Sequence, residues 1–258
     1  MSEQELLVNK DNPAIWILTL NRPEARNALR TSLLKAIADT LIDADKDPEL
    51  RCVIVTGGKE IFAAGADLNE MKDATAVDAT YDPRVDYWEM IRSFRKPLIA
   101  AVNGFCLGAG NELAMRADII IAGEDAQFGQ PEINVGIMPG AGGTQMLTRM
   151  AGKAVAMKIA MTGEFIDAQT AFACGLVSEV VPSDEVMSRA EKLATKISRK
   201  SPLALRYIKE SVLAAEDMPL KDALAFERRA FCVLFSSEDK KEGVSAFLEK
   251  RRPEFTGR

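Results

Sequence analysis

The first half of the chain alternates short apolar runs with turns and helical stretches. The runs are rich in β-branched and aliphatic residues and cover residues 14–20, 52–56, 98–102 and 119–122. Turn sequences close them, such as N-R-P after the first run and G-G after the second. Strands that alternate with helices in this way are typical of a layered α/β domain. We therefore predict the α/β class for this part of the chain.

The second half carries helical periodicity instead. From residue 182 onward apolar residues recur every three or four positions, and the strand patterns end. We expect a core of residues 1–181 followed by a helical region of residues 182–258. The apolar helix faces could pack on the protein's own core or on a neighbouring subunit, because amphipathicity alone does not identify the partner.

One segment has no period. Residues 72–86 contain four aspartates and a proline and read as a surface loop or a mobile segment. Long loops inside compact domains often line binding sites. We therefore expect this segment beside a pocket.

The 258-residue chain has no histidine. This excludes Ser-His-Asp and Cys-His nucleophiles, histidine metal sites and an imidazole base. Acid–base chemistry must then come from carboxylates, Lys, Tyr or Cys, and we expect neither a metal nor another cofactor. The 33 basic and 38 acidic residues give a net charge of −5, which does not favour nucleic acid as a partner.

The four cysteines are far apart in sequence and form no C-x-x-C pair, so we expect reduced thiols. The first ten residues lack the apolar segment of a signal peptide, and no run of about 18 apolar residues occurs. We expect a cytoplasmic protein that has no membrane partner.

Glycines concentrate in three segments, F-A-A-G-A-D-L, N-G-F-C-L-G-A-G-N-E-L-A and G-I-M-P-G-A-G-G-T-Q. The middle segment lacks the third glycine of a dinucleotide-binding loop, and no P-loop pattern is present, so nucleotide-binding enzymes are disfavoured. In that segment a strand leads through a turn into a helix from about Ala109, which would place free amides and the positive helix end at one point. Taken singly, Glu112 in this helix and Glu132 in a later loop are more often structural than catalytic.

Taken together, these segments resemble the crotonase superfamily, the enoyl-CoA hydratase/isomerase family, and most of all its hydratases. The resemblance covers nearly the whole chain, from N-R-P-E-A-R-N-A-L through the three glycine segments to G-L-V-S-E-V-V-P and S-A-F-L-E-K-R. It implies a crotonase-like spiral of ββα units with a C-terminal helical region that forms a homotrimer or a homohexamer, a dimer of trimers.

The resemblance also implies roles for individual residues. The amides of Ala66 and Ala109 match the oxyanion hole that polarises the thioester carbonyl of an acyl-CoA. Ala109 stands where the family commonly has glycine, so a methyl group borders the hole. Glu112 and Glu132 match the two hydratase carboxylates, and Gly140 matches an amide that holds the reacting water.

For the CoA part of the substrate, the resemblance implies one set of contacts from the first half and another from the C-terminus, often supplied there by a neighbouring subunit. The matching positions are Arg22, Ala25, Arg26, Ala64, Asp67, Leu68, Phe247 and Lys250. Ordinary structural roles remain open for several of them, because Arg26 and Lys250 could be solvated charges and Phe247 a packing aromatic.

The implied activity is syn hydration of a trans-2-enoyl-CoA to a 3-hydroxyacyl-CoA. Isomerases of the family usually keep one carboxylate of the pair, so the presence of both favours a hydratase. The rival interpretations are a double-bond isomerase and a non-catalytic RNA-binding or assembly member of the fold. Short runs, including L-N-E-M and K-R-R-P-E-F-T-G-R, are most similar to the hydratases of 2,3-dehydroadipyl-CoA in phenylacetate degradation, with general short-chain hydratases as the alternative.

A dehydroadipyl chain ends in a carboxylate, which an apolar tunnel would disfavour unless a cation met it. The candidates near residues 72–86 are Lys72, Arg84, Arg92 and Arg95, and all four could equally be solvated surface charges. We favour Arg84, because Pro83 stiffens its backbone, and we expect Tyr81 and Tyr87 to flank the chain.

Overall fold

The computed structural model describes residues 4–258. Residues 1–3, the start of the expected core, lie outside the described residues. Within residues 4–258 the strands are, in chain order, β1 (Leu6–Asn12), β2 (Ile15–Leu20), β3 (Cys52–Thr56), β4 (Leu98–Val102), β5 (Phe105–Leu107), β6 (Ile119–Gly123), β7 (Gln127–Gly129), β8 (Phe165–Asp167) and β9 (Glu179–Val181).

The helices of the same residues surround these strands. They are, in chain order, α1 (Thr31–Lys46), α2 (Ala76–Thr80), α3 (Arg84–Arg92), α4 (Ala109–Met115), α5 (Gly143–Ala151), α6 (Lys153–Thr162), α7 (Ala168–Ala173), α8 (Val186–Ser198), α9 (Pro202–Asp217), α10 (Leu220–Leu234) and α11 (Glu238–Leu248). Short 3-10 turns cover Pro23–Ala25, Leu68–Glu70, Pro131–Val135 and Ser183–Glu185.

The strands form two sheets. In the described residues the large sheet has six strands in the order β1-β2-β3-β4-β6-β9, in which only the β1–β2 pair is antiparallel. The small sheet has the order β5-β7-β8, with β5 and β7 parallel. Ala63 adds a parallel bridge to Cys106 on β5. Strands β3, β4 and β6 of the large sheet are thus each followed by a segment of the small one, namely Ala63, β5 and β7. This repeat is the spiral that the family resemblance implied.

Apolar residues pack on both faces of the large sheet. On β3, Val53 and Val55 join the main core, whereas Cys52 and Ile54 join a second core on the opposite face. The second core is closed by the buried face of α8, including Ala190. A strand that is buried on both faces reads as a continuous apolar run, which explains why the sequence predicted β2, β3, β4 and β6 within one or two residues.

One expectation needs correction. Residues 72–86 are not a structureless loop, because they contain α2 and the first residues of α3. Thr75 and Asp78 form a capping box at the N-terminus of α2. The last strand ends at Val181, as expected, and α8 packs on the large sheet through the second core. The division into a core and a separate helical region stays a prediction.

No helix within residues 4–258 is long and apolar enough to cross a bilayer. In the same part of the chain, no three His, Cys, Asp or Glu side chains come close enough together to hold a metal ion. The four cysteines are free thiols.

Candidate active site

Three segments meet at one edge of the small sheet. Ala63, β5 and β7 run parallel, so the residues that follow each of them lie at the same edge. Residues 64–68, residues 108–112 and residues 131–141 all contribute to the wall of a cavity of about 450 Å³, and α3 supplies part of the wall. The glycine segments of the sequence are therefore brought together around one pocket.

Ala66 and Ala109 both line this pocket. Within the described residues neither amide donates to a protein acceptor. The residue before each is a glycine with positive φ, 129° at Gly65 and 50° at Gly108, a backbone region that disfavours side chains. A Cβ on Gly108 would lie 3.6 Å from the Gly65 Cα, so the two loop segments are in van der Waals contact. This leaves two unused N–H donors in the wall of one pocket, as an oxyanion hole requires.

Glu112 lies on α4 and is 2% exposed. Its Oε1 atom accepts hydrogen bonds from the amides of Ala141 at 2.8 Å and Gly143 at 2.7 Å. Burial raises the pKa of Glu112, whereas these two amides favour its charged form and oppose that rise. Arg116 donates to the Ala141 carbonyl at 2.8 Å and so braces the loop that carries both amides.

Glu132 lies in the 3-10 turn after β7 and is half-buried beside Glu112 in the pocket wall. Burial, together with the negative charge of Glu112, raises the pKa of Glu132 to about 7. The side-chain amide of the fully buried Gln130 faces Glu132, and with its nitrogen on that side it would donate to Oε1 at 2.9 Å. Two neighbouring carboxyls with raised pKa values can hold a single proton between them at neutral pH, which suits an acid and a base that act together.

Gly140 lies in the pocket wall next to Ala141. Its predicted contact with the reacting water stays a prediction. The sequence reasoning missed the amides of Ala141 and Gly143, which hold Glu112 directly. The G-A-G-G run at the start of α5 was the available signal, because helix N-termini offer free N–H groups.

The wall contributed by α3 and the segment before it contains Asp82, Arg84, Val85 and Trp88. The expectation that residues 72–86 line a pocket is therefore confirmed. The expected aromatic neighbours were wrong, because Tyr81 is 82% exposed and Trp88 takes the place in the wall.

The other basic candidates point elsewhere. Lys72 lies on the exposed surface. Tyr87, the second aromatic residue expected beside the acyl chain, packs against the main core. Arg92 pairs with Glu89 on the exposed side of α3, and Arg95 pairs with Asp45. Of the four cations named from the sequence, Arg84 is thus the one that lines this pocket.

Residues 10–258 match the sequence profile of the enoyl-CoA hydratase/isomerase family. The chain belongs to this family. It is 48% identical over 254 residues to the 2,3-dehydroadipyl-CoA hydratase of Escherichia coli (strain K12), covering 98% of this chain and 99% of that protein. It is 45% identical to a probable enoyl-CoA hydratase of Rhizobium meliloti (strain 1021) over the full length of both.

Solved structures of enoyl-CoA hydratases share the fold. Subunit I from Geobacillus kaustophilus superposes with a TM-score of 0.95 at 40% identity, with 99% of both chains covered. The protein from Bacillus anthracis superposes with a TM-score of 0.93 at 35% identity, with 99% of this chain and 100% of that chain covered. The predicted family and the predicted crotonase-like fold are confirmed.

In this enoyl-CoA hydratase/isomerase family member, the loop before α1 is held by a buried ion pair. Arg22 is 7% exposed and donates to Asp67 Oδ2 at 3.0 Å and to the Ala28 carbonyl at 2.6 Å. Arg26 and Asn27 have positive φ, and the buried Asn27 side chain donates to the carbonyls of two loop residues. In this structure their charged groups pair with each other, and contact of Arg22 and Asp67 with CoA stays a prediction.

The remaining CoA candidates fall into two places. Ala64 and Leu68 line the pocket, and Ala25 and the exposed Arg26 lie on the adjoining loop. Phe247 is 83% exposed and Lys250 is exposed, both outside the pocket of their own chain. Their predicted role in CoA binding therefore depends on a second subunit and stays a prediction.

Proposed function

We propose that the protein is an enoyl-CoA hydratase that adds water syn across the double bond of a trans-2-enoyl-CoA to give a 3-hydroxyacyl-CoA. One observation carries this proposal: Glu112 and Glu132 line the same pocket as the unused amides of Ala66 and Ala109. The family and the named hydratase relatives support it.

The two amides bind the thioester carbonyl. As water attacks Cβ, negative charge develops on the carbonyl oxygen, and fixed donors in a pocket of low polarity stabilise it without rearranging. Ala109 begins α4, so the positive end of a helix adds to this field.

The two carboxyls divide the proton transfers. The charge of Glu112 is stabilised by two amides. This carboxylate takes a proton from the water while the water oxygen bonds to Cβ. Glu132, whose pKa is raised to about 7, gives its proton to Cα. One water is consumed, and the pair regains its starting state when the proton on Glu112 returns to Glu132. Both transfers occur on one face of the double bond, so addition is syn.

The test replaces each carboxyl by its amide. Glu112→Gln and Glu132→Gln should each lower turnover by about 10²- to 10⁴-fold, because the amide cannot carry the proton. Loss of the conjugated-thioester absorbance of crotonyl-CoA measures the reaction. The matched control is Glu124→Gln at an exposed position, which should retain full activity. A carboxyl variant that kept most of its turnover would contradict the assignment.

The rival activity is tested with the same proteins. A 3-enoyl-CoA substrate that is converted to its 2-enoyl isomer faster than crotonyl-CoA is hydrated would identify an isomerase instead. We expect hydration to be the faster reaction, because an isomerase needs only one of the two carboxyls.

For the acyl chain we propose 2,3-dehydroadipyl-CoA, on the support of the E. coli relative that carries this name. A general short-chain enoyl-CoA is the alternative. We also propose that the reaction needs no metal or other cofactor and takes place in the cytoplasm, where the free thiols stay reduced.

We further propose that the protein assembles as a homotrimer or a dimer of trimers through its C-terminal helices. Large apolar side chains are exposed on these helices: Ile208, Val212, Leu213, Leu220, Leu224, Phe231, Val233, Val244, Phe247 and Leu248. Exposed apolar side chains in this number are typical of helices that form subunit interfaces. Sedimentation velocity should give a trimer or a hexamer, and a monomer at micromolar concentration would contradict the proposal.

A further inference from the structure

One wall of the active-site pocket carries a charge pair. Asp82 and Arg84 line the cavity together with apolar side chains such as Met71, Val85 and Trp88. Among the described residues that line the cavity, Arg84 is the sole cation. The reacting carboxyls belong to other segments, so this pair has no part in the proton transfers proposed above.

Asp82 holds the arginine in place. Its Oδ1 atom accepts a hydrogen bond from the Arg84 amide at 2.8 Å, and its Oδ2 atom accepts one from Arg84 Nε at 2.7 Å. The Nη2 group also pairs with Oδ2. Arg84 is the first residue of α3, after Pro83, so its backbone is fixed on the same helix that presents Trp88 to the pocket.

The pair leaves the guanidinium only partly used. A guanidinium has five N–H donors, and Asp82 engages the Nε and Nη2 groups from one side. Within the described residues no other side chain or carbonyl accepts from Arg84. The Arg84 side chain is 19% exposed, so its remaining donors are largely withdrawn from bulk water. A planar guanidinium with free donors is the group that best matches a carboxylate.

We propose that Arg84, held by Asp82, recognises a carboxylate at the far end of the acyl chain and makes the enzyme selective for 2-enoyl-CoA thioesters that carry such a group. This inference rests on the proposed hydratase function. An unpaired carboxylate inside an apolar pocket is strongly disfavoured, and the free donors of Arg84 remove that penalty. When the acyl chain of the substrate is uncharged, Asp82 remains the ion-pair partner of Arg84.

The test compares two substrates of equal length, 2,3-dehydroadipyl-CoA and trans-2-hexenoyl-CoA. Arg84→Met should lower kcat/KM for dehydroadipyl-CoA about tenfold or more, because a charge-assisted hydrogen bond is lost, and the loss should appear in KM. The ratio of the two kcat/KM values should fall by the same factor. Arg84→Lys, which keeps the charge but not the planar fork, should restore part of the ratio.

The matched control is Arg92→Met. It removes one positive charge from the same helix, at an exposed position that pairs with Glu89 outside the pocket. It should leave the ratio unchanged. Inhibition by the saturated analogues adipyl-CoA and hexanoyl-CoA gives a second measurement that does not depend on the chemical step, and only adipyl-CoA should bind Arg84→Met more weakly.

Two different failures can be told apart. If the unaltered protein hydrates neither substrate, the proposed function itself is wrong. If it hydrates both, and Arg84→Met changes both equally or neither, the role of Arg84 is overturned while the hydratase function stands. An equal change in the ratio for Arg92→Met would also overturn it, because the effect would then come from net charge alone.

Discussion

The raised pKa of Glu132 predicts that this carboxyl destabilises the fold at neutral and alkaline pH. Burial and the nearby charge of Glu112 raise its pKa from 4.5 to about 7. A carboxyl whose pKa is higher in the folded state binds more protons there than in the unfolded chain. The free energy of unfolding therefore falls as the pH rises from about 4.5 through about 7.

The size of the effect follows from the shift. A change in pKa from 4.5 to about 7 corresponds to about 3 kcal/mol of stability lost at pH 8. Glu132→Gln removes the ionisation and keeps an oxygen that can accept from Gln130. We expect this variant to be more stable than the original protein by up to about 3 kcal/mol at pH 8. The difference should vanish below pH 4, where both side chains are neutral.

Urea unfolding at pH 4 and pH 8, followed by circular dichroism, measures this difference. The control is again Glu124→Gln, which removes a carboxylate from the exposed surface and should change stability little at either pH. If Glu132→Gln is more stable and has lost hydratase activity, the catalytic carboxyl lowers the stability of the fold at this site. Equal stability of Glu132→Gln and the original protein at pH 8 would refute the raised pKa and the role of Glu132 as the acid.

Three further predictions concern activity and assembly. Because Glu132 must be protonated, kcat/KM for hydration should fall about tenfold per pH unit above pH 7, and a profile that is flat from pH 6 to pH 9 would contradict this. Ala109→Pro removes one donor of the oxyanion hole at the first residue of α4, where proline is tolerated. It should cost about 3–4 kcal/mol of transition-state stabilisation, measured as kcat/KM, and an unchanged value would exclude this amide. Truncation after Ser236 removes α11 and should give monomers or aggregates by sedimentation, whereas an active monomer would refute a shared CoA site.

The sequence predicted the central strands but not the peripheral ones. Strands β3 and β4 are buried at every position and almost entirely apolar, because other elements cover both faces of the large sheet. The strands of the small sheet have three residues each, which is too short for a period to be recognised in them. The edge strand β1 reads L-L-V-N-K-D-N and is largely exposed, which resembles a loop.

The sequence singled out the two carboxyls that we propose to react, whereas it did not show the groups that position Glu112. Glu112 and Glu132 stand in long runs of residues typical of the family. The donors that hold Glu112 are the backbone amides of Ala141 and Gly143, and a backbone amide is present at every residue except proline. Only the folded loop shows which amides point at the carboxylate.

Charged residues pose the same difficulty in another form. Arg22 and Asp67 are 45 positions apart, so nothing in the sequence shows that they pair. In the structure their pairing lies next to the segment of the proposed oxyanion hole. Arg22 joins the Ala28 carbonyl to Asp67, and beside it the Leu29 amide donates to the Gly65 carbonyl at 2.8 Å. This buried pair therefore helps to hold the segment that carries the Ala66 amide. A charged side chain near a substrate site can thus contribute to catalysis by fixing a backbone donor, without contacting the substrate.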